Sequence, residues 1–347
     1  MIITRSPFRI TLGGGGTDLP SFYKKHGGIV FSMAIDKYIY LNFKQSAIDT
    51  AIRLQCYKPE VVQKIEDLKH SRAREALKRY DISHSVEINS IADLPASSGL
   101  GSSGSYLVAL LHTLRYYKNQ NLHPGAVAEE ACDIEINVLQ EPVGKQDQYI
   151  ASYGGIRILD INKSGKVSVK DINLNYSDIL TFLNNTHIYY TGKLRSASEI
   201  LKEQNNLSYN VEDKLLKIKD LSYEFIDSFV NCDFDNFGLL LDKHWNLKKK
   251  LSDKISFSEV DEIYKLVKDD FGVLGGKIIG AGGGGFLMLY VPTGGKKLEN
   301  FMINNNMPRM HYNVDPHGCN TVADLRSYNS ILNENRIIKS CSLWSVK

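Results

Sequence analysis

Residues 93–111, DLPASSGLGSSGSYLVALL, crowd three glycines and five serines against the start of an apolar helix. A helix start asks for one capping side chain. It has no use for three positions without a β-carbon, so the run demands a second explanation. Glycines at 99, 101 and 104 let the backbone approach a ligand closely. The serines bring hydroxyl donors, and the helix beyond aims its unpaired N–H groups and positive dipole end at the same point. Together these features describe an anion cradle of a size that suits a polyphosphate.

Other readings of the glycines fail on context. GLGSSG also spells G-x-G-x-x-G, but a dinucleotide fold needs a strand that runs straight into the glycines and an acid after the next strand. Here ADLPASS intervenes, and a pair of helices follows. No G-x-x-x-x-G-K-[ST] occurs, which excludes a Walker-type loop. Asp270-Phe271-Gly272 matches the metal motif of protein kinases but has no H-R-D loop ahead of it, and reads as a helix closed by glycine. Two further glycine runs, at 13–16 and 282–285, point to several backbone turns converging on ligands.

The bulk properties narrow the class. The 347 residues are 43% hydrophobic and 23% charged, enough for a well-cored chain of one large or two ordinary domains. A net charge of +3, with scattered basic residues, gives no footprint for nucleic acid. The densest basic run, Lys248-Lys249-Lys250, reads as a solvated helix face. Five cysteines, odd in number and without C-x-x-C spacing, read as reduced thiols of a cytoplasmic protein. The N-terminal segment lacks the apolar core of an export signal, and no apolar stretch reaches about 18 residues, so no membrane partner is expected.

Pattern assigns strands to 2–12, 28–43 and 84–90, with a charged, exposed helix over 59–80. Helices are expected at 102–118 and 125–140, the second with Val127, Ala131, Ile134 and Val138 on one face. Pro142 and Gly144 break the pattern, and GGIRILDI is a strand. After HIYYTG, another strand, long helices are expected at 195–206, 212–231 and 235–252. Ser258 and Asp261 form a candidate capping box for a helix ending near Gly272. KIIGAGGGGFLMLYV is strand, glycine turn and strand, RMHYNVDPHG a last strand, and the residues from about 325 a tail. A domain boundary near 175–185 divides the chain into 1–180 and 181–347.

At this point the residues carry a resemblance. PFRITLGGGGTDLP, LPASSGLGSSGSYLVALL, EPVGKQDQYIASYGG and KIIGAGGGGFLMLYV resemble, in order and spacing, the successive signatures of the GHMP kinases, over roughly residues 1–322. The resemblance implies an α+β, two-domain fold with its active site in the cleft between the halves. Within that superfamily the four-glycine first motif, GKQDQY and YTGKLRSASEIL look most like the bacterial D-glycero-α-D-manno-heptose 7-phosphate kinases. Galactokinases carry an acid and a histidine ahead of the Thr-Asp of the first motif. Gly15 and Gly16 stand there in this chain, which argues against galactose.

The same resemblance implies roles. It places the ATP phosphates on Ser97, Ser98, Gly99, Leu100, Gly101, Ser102, Ser103, Gly104 and Ser105, and matches Ser103 and Glu135 to ligands of Mg²⁺. Glu135 also falls on an apolar helix face, where an acid must be paired or bind metal; a buried salt bridge with an unseen base is the alternative. Asp147 matches the catalytic aspartate, against an ordinary turn or N-cap aspartate. Arg9 matches the basic residue beside it, against a surface strand arginine, and Lys145 is a further charge-stabilising candidate. Asp18 matches the sugar-binding aspartate, flanked by Gly15, Gly16 and Thr17. A sugar phosphate also needs cations, for which Lys193 and Arg195 are the candidates, with Lys37 and Arg5 behind them. Gly280, Gly282, Gly283 and Gly284 should shape the back of the site. The expected reaction is phosphorylation of heptose 7-phosphate by ATP at the anomeric hydroxyl, with another sugar kinase or a non-catalytic sugar sensor as alternatives.

Overall fold

A computed structural model describes residues 1–194, 197–205 and 208–326; Arg195 and the tail from 327 lie outside the described residues. The chain opens with β1 (Ile2–Gly13), α1 (Pro20–His26) and the 18-residue β2 (Gly28–Gln45). Next come β3 (Ile52–Gln55), β4 (Glu60–Val62), α2 (Ser71–Arg79) and β5 (Val86–Ala92). Helices α3 (Ser102–Tyr117), α4 (Pro124–Cys132) and α5 (Gln146–Tyr153) precede β6 (Ile156–Ile161) and β7 (Val167–Asp171).

These strands, joined by one from the far end of the chain, make an eight-stranded sheet. Its main order is β12-β1-β2-β5-β3-β4, where β12 spans Asn320–Asp324, and β6 with β7 branches from the first half of β2. All its pairings are antiparallel except that of β3 with β5. The long β2 is what allows the branch: residues 28–33 pair with β6 and residues 39–45 with β5.

The second half begins with α6 (Tyr176–Asn185), β8 (Thr186–Tyr190), α7 (Ala197–Asn205), α8 (Tyr209–Val230) and α9 (Phe234–Lys248). It continues through α10 (Ser258–Asp270), β9 (Gly275–Ile278), β10 (Phe286–Tyr290), α11 (Gly295–Asn304) and the two-residue β11 (Arg309–Met310). Four strands form the second sheet in the order β11-β8-β10-β9. The mixed helices and sheets confirm the α+β expectation.

The halves share a core. Helix α3 is buried from Gly104 to Leu114 and belongs to the same apolar cluster as β1, β2 and the aromatic faces of α8 and α9. Phe229 of α8 meets Phe31 of β2 edge-on at 5.1 Å and Phe182 of α6 at 4.9 Å. Such edge-to-face pairs are directional, and they seat α8 between β2 and α6.

Several expectations shift. The 59–80 segment is helical only from Ser71, after a short strand and a 3-10 turn (Ile65–Asp67). Glu60 accepts from the backbone N–H groups of Lys69 and His70, at 2.6 and 3.0 Å. A continuous helix would hold residues nine apart at about 13 Å, so this contact requires the chain to fold back. The 125–140 helix turns into a π-helix at Asp133–Val138. The wider turn rephases the apolar stripe, burying Ile134 and Glu135 and leaving Val138 46% exposed. The capping box does not form: α10 starts at Ser258 after Phe257, and Asp261 pairs with Lys249. RMHYNVDPHG yields only β11; the last strand is β12, which returns to the first sheet although it lies well beyond residue 181.

Candidate active site

The phosphate-cradle segment folds as the glycines demand. Gly99 and Gly101 have φ of +82° and +86°, and Ser97 holds φ +61° without being glycine. Gly101 is the N-cap of α3, and no side chain caps that helix. In so serine-rich a segment this is informative: the first N–H groups of α3 are left for something other than the protein.

Arg9 on β1 locks this loop to the rest of the site. Its backbone N–H donates to Leu100 O at 3.1 Å, and its Nη1 donates to Gly99 O at 2.6 Å. Its Nε donates to Asp147 Oδ1 at 2.7 Å, so one guanidinium joins the loop to the first turn of α5. A β-carbon built on Gly104 would lie 2.7 Å from Asp147 Cβ, which is why that position carries none. Arg9 is therefore no surface arginine: its side chain is 6% exposed.

Asp18 closes the other side. Its carboxylate accepts from Gln146 N at 3.0 Å and from Gly16 N at 3.2 Å. Burial raises its pKa above the ordinary value; the two backbone donors oppose that rise and the charge of Asp147 adds to it. Gly144 leaves room for it, since a β-carbon there would sit 2.0 Å from Asp18 Oδ2.

One cavity gathers these groups. Arg9, Thr11, Gly15, Gly16, Asp18, Ser97, Gly99, Gly101, Ser102, Ser103 and Asp147 line it from the first half, and His244, Lys248, Lys277, Gly280 and Ala281 from the second. It thus lies between the two halves. A second cavity of about 620 Å³, lined by Tyr57, His70, Leu94 and Tyr106 among others, shares Ser97, Ser102 and Ser103 with the first.

Other expected residues stand elsewhere. Lys145 points away from the cavity, with its Nζ donating to both oxygens of Glu129 at 2.9 Å and to Gly165 O at 2.7 Å. Lys193 lies on the surface, paired with Glu259 at 2.7 Å and stacked over Phe257. Lys37 pairs with Asp36, and Arg5 lies over the Tyr38 ring at 4.6 Å. Thr17 spends its hydroxyl on Gly14 O and Ile29 O, and Ser105 donates to Pro7 O. Ser98 and Leu100 are fully buried and Gly104 packs on Asp147; none of the three lines the cavity. Gly282 and Gly283 pack on Ile255, whereas Gly280 abuts Gly99, Gly284 the Lys193 carbonyl and Gly285 the Ser98 carbonyl.

Glu135 is the clearest correction. Its Oε1 accepts from Arg72 Nε at 2.7 Å, its Oε2 accepts from Gln148, and it does not line the cavity. The unseen base is Arg72. A divalent ion bound here would face that guanidinium, so the Ser103–Glu135 pair does not fit a protein-held Mg²⁺; only Ser103 faces the cavity. Among the described residues no group of three or more His, Cys, Asp or Glu is placed to hold a metal. Glu135→Gln should leave Arg72 only its longer contact with Glu141, at 3.6 Å, and cost about 3 kcal/mol, the low end for a broken buried pair, in a urea unfolding curve. Unchanged stability would mean that the pair is not structural.

Sequence reasoning missed His244, Lys248 and Lys277. Only the KKK run drew notice to Lys248, and it pointed outward; in the structure Lys248 is buried while Lys249 reaches Asp261.

A glycine-bent loop with an uncapped helix start, beside an arginine-held carboxylate, is the equipment of a small-molecule phosphotransferase. The comparisons agree. The sequence matches the GHMP kinases N terminal domain over residues 68–155 and the GHMP kinases C terminal domain over residues 225–308. It is 28% identical over 310 residues to the D-glycero-alpha-D-manno-heptose 7-phosphate kinase of Campylobacter jejuni, covering 84% of this chain and 90% of that one. Identity to the L-fucokinase/L-fucose-1-P guanylyltransferase of Bacteroides fragilis is 26% over 330 residues, 82% of this chain but 34% of that protein. The crystal structure of a D-glycero-D-manno-heptose 1-phosphate kinase from Bacteroides thetaiotaomicron shares the fold, with a TM-score of 0.78 at 21% identity, covering 94% of this chain and 100% of that one. The chain carries both the N-terminal and the C-terminal GHMP kinase domains, and its relatives indicate a sugar kinase. No helix among the described residues is long and apolar enough to cross a membrane.

Proposed function

We propose that the protein transfers the γ-phosphoryl group of ATP to the anomeric hydroxyl of D-glycero-α-D-manno-heptose 7-phosphate, giving the 1,7-bisphosphate and ADP in the cytoplasm. The observation that carries this reading is the uncapped start of α3 opening into the same cavity as the Arg9-bound Asp147. In this reading Ser97, the glycines and the N–H groups of α3 hold the nucleotide's phosphates, and the 620 Å³ cavity beyond the serines takes the nucleoside. Asp18 accepts from sugar hydroxyls. Asp147 takes the proton of the anomeric hydroxyl, whose oxygen attacks the γ-phosphorus as the bond to the ADP oxygen breaks. Arg9 orients Asp147 through its Nε–H and offsets charge on the phosphoryl group in flight. Mg²⁺ enters as the MgATP substrate, with Ser103 as the hydroxyl placed to meet it. The Campylobacter relative supports the choice of sugar.

An ADP-release assay over heptose 7-phosphate, free heptose, fucose and galactose tests the reading. Turnover on heptose 7-phosphate is expected to exceed that on the others; a preference for fucose or galactose, or no turnover, would overturn it. Ser103→Ala should raise the Mg²⁺ concentration for half-maximal rate, whereas Glu135→Gln should leave it unchanged. A shift in the second variant would return Glu135 to the metal.

A further inference from the structure

Three basic side chains from the second half, two lysines and a histidine, face the cavity with no acid among the described residues set against them. Lys248, at the end of α9, is 8% exposed and donates to Ile278 O at 2.8 Å and Gly280 O at 2.6 Å. Lys277, on β9, is 2% exposed and donates to Leu12 O at 2.7 Å. Among the described residues no carboxylate pairs with either; the charges they feel are Arg9 and, for Lys277, Lys248. His244, one turn before Lys248, is buried with neither ring nitrogen hydrogen-bonded. The nearest acids are already engaged: Asp147 holds Arg9, and Asp18 holds two backbone N–H groups.

Burying ammonium groups without a counter-charge is costly, and carbonyl oxygens return only part of their lost hydration. The cost shows in depressed basicity: burial pushes Lys248 down to about 7, with Arg9 adding to it, and burial likewise lowers Lys277, with Lys248 and Arg9 adding to it. An anion in the cavity removes that penalty and gives the histidine ring an acceptor.

The anchors say which anion. Lys277 is tied to Leu12, beside the first glycine run that leads to Asp18, so it stands on the acceptor side. The nucleotide's phosphates already have the α3 N–H groups and the serines. We propose that Lys277, Lys248 and His244 bind the phosphate group carried by the acceptor sugar and so select phosphorylated sugars over free ones. This rests on the sugar-kinase reading of the cavity and replaces Lys193, whose ammonium is held outside it.

Steady-state kinetics on the full chain provide the test. Lys277→Met and Lys248→Met should raise KM for heptose 7-phosphate by about 10- to 100-fold, the range for a lost charged hydrogen bond, and shrink the preference over free heptose. KM for ATP should stay within about twofold, the scatter of a surface substitution. Lys193→Ala should keep the preference. His244→Phe, which breaks no protein hydrogen bond, should weaken the sugar phosphate in the same direction and keeps the test alive if a lysine variant fails to fold. Variants that retain the preference, or that lose ATP instead, overturn the proposal. A second readout needs no turnover. With a non-hydrolysable ATP analogue filling the cradle, inorganic phosphate should raise the Tm of the wild type, and His244→Phe and Lys277→Met should lose that rise. If the wild type turns over no sugar at all, the proposed reaction falls, and the Tm arm still decides the anion site: survival of the rise in these variants overturns it.

Discussion

Asp147→Asn is expected to lose about 10²- to 10⁴-fold in turnover while ATP still binds, the usual worth of a general base. Asparagine keeps the size of the side chain and an oxygen that can accept from Arg9 Nε, so the tie between β1 and α5 survives. It cannot take up a proton. The nucleotide contacts assigned to the loop at 97–104 do not involve residue 147, so the dissociation constant for ATP should change little. Single-turnover rates with heptose 7-phosphate, beside equilibrium binding of ATP, separate the two. A near wild-type rate would remove Asp147 from the mechanism; a large loss of ATP affinity would mean that the substitution had moved the loop through Arg9.

The second large effect is steric. Gly280 holds φ +74°, and a β-carbon there would meet Gly99 O at 2.2 Å. Gly280→Ala thus combines left-handed backbone strain of roughly 1–2 kcal/mol with a contact that only a shift of the phosphate loop can relieve. KM for ATP should rise by about tenfold or more, since each 1.4 kcal/mol of misplaced binding is a factor of ten. Gly192→Ala is the matched control: φ is +70°, but nothing lies within 4 Å of the new β-carbon. It should cost about the same backbone strain, read as a lower Tm, and leave KM for ATP unchanged. If both variants behave alike, the Gly280–Gly99 contact does not position the loop.

Much of the site was legible in the chain because its information is local. A glycine at 101 with positive φ, a helix starting at 102 and a strand ending in four glycines follow from preferences that act over a few residues. Asp147 and Arg9 were picked out because whole motifs, not single residues, carry them. The apolar stripes of α3 and β2 likewise state their own burial.

What the sequence could not determine is where each charge points. Lys145, Lys193 and Lys248 are chemically equal, and each stands at or near a helix end. The first is turned to Glu129 and the second to Glu259, 16 and 66 residues away, while the third enters the cavity through carbonyls 30 and 32 residues on. Glu135 looked like a metal ligand until the fold brought Arg72 to it across 63 residues and a π-turn swung it inward. Backbone preference fixes the loops, strands and helices, because sterics act between chain neighbours. The partner of a long charged side chain is chosen by Coulomb energy and desolvation, which depend on distances set only when α9, β9 and the first glycine run close around the same space.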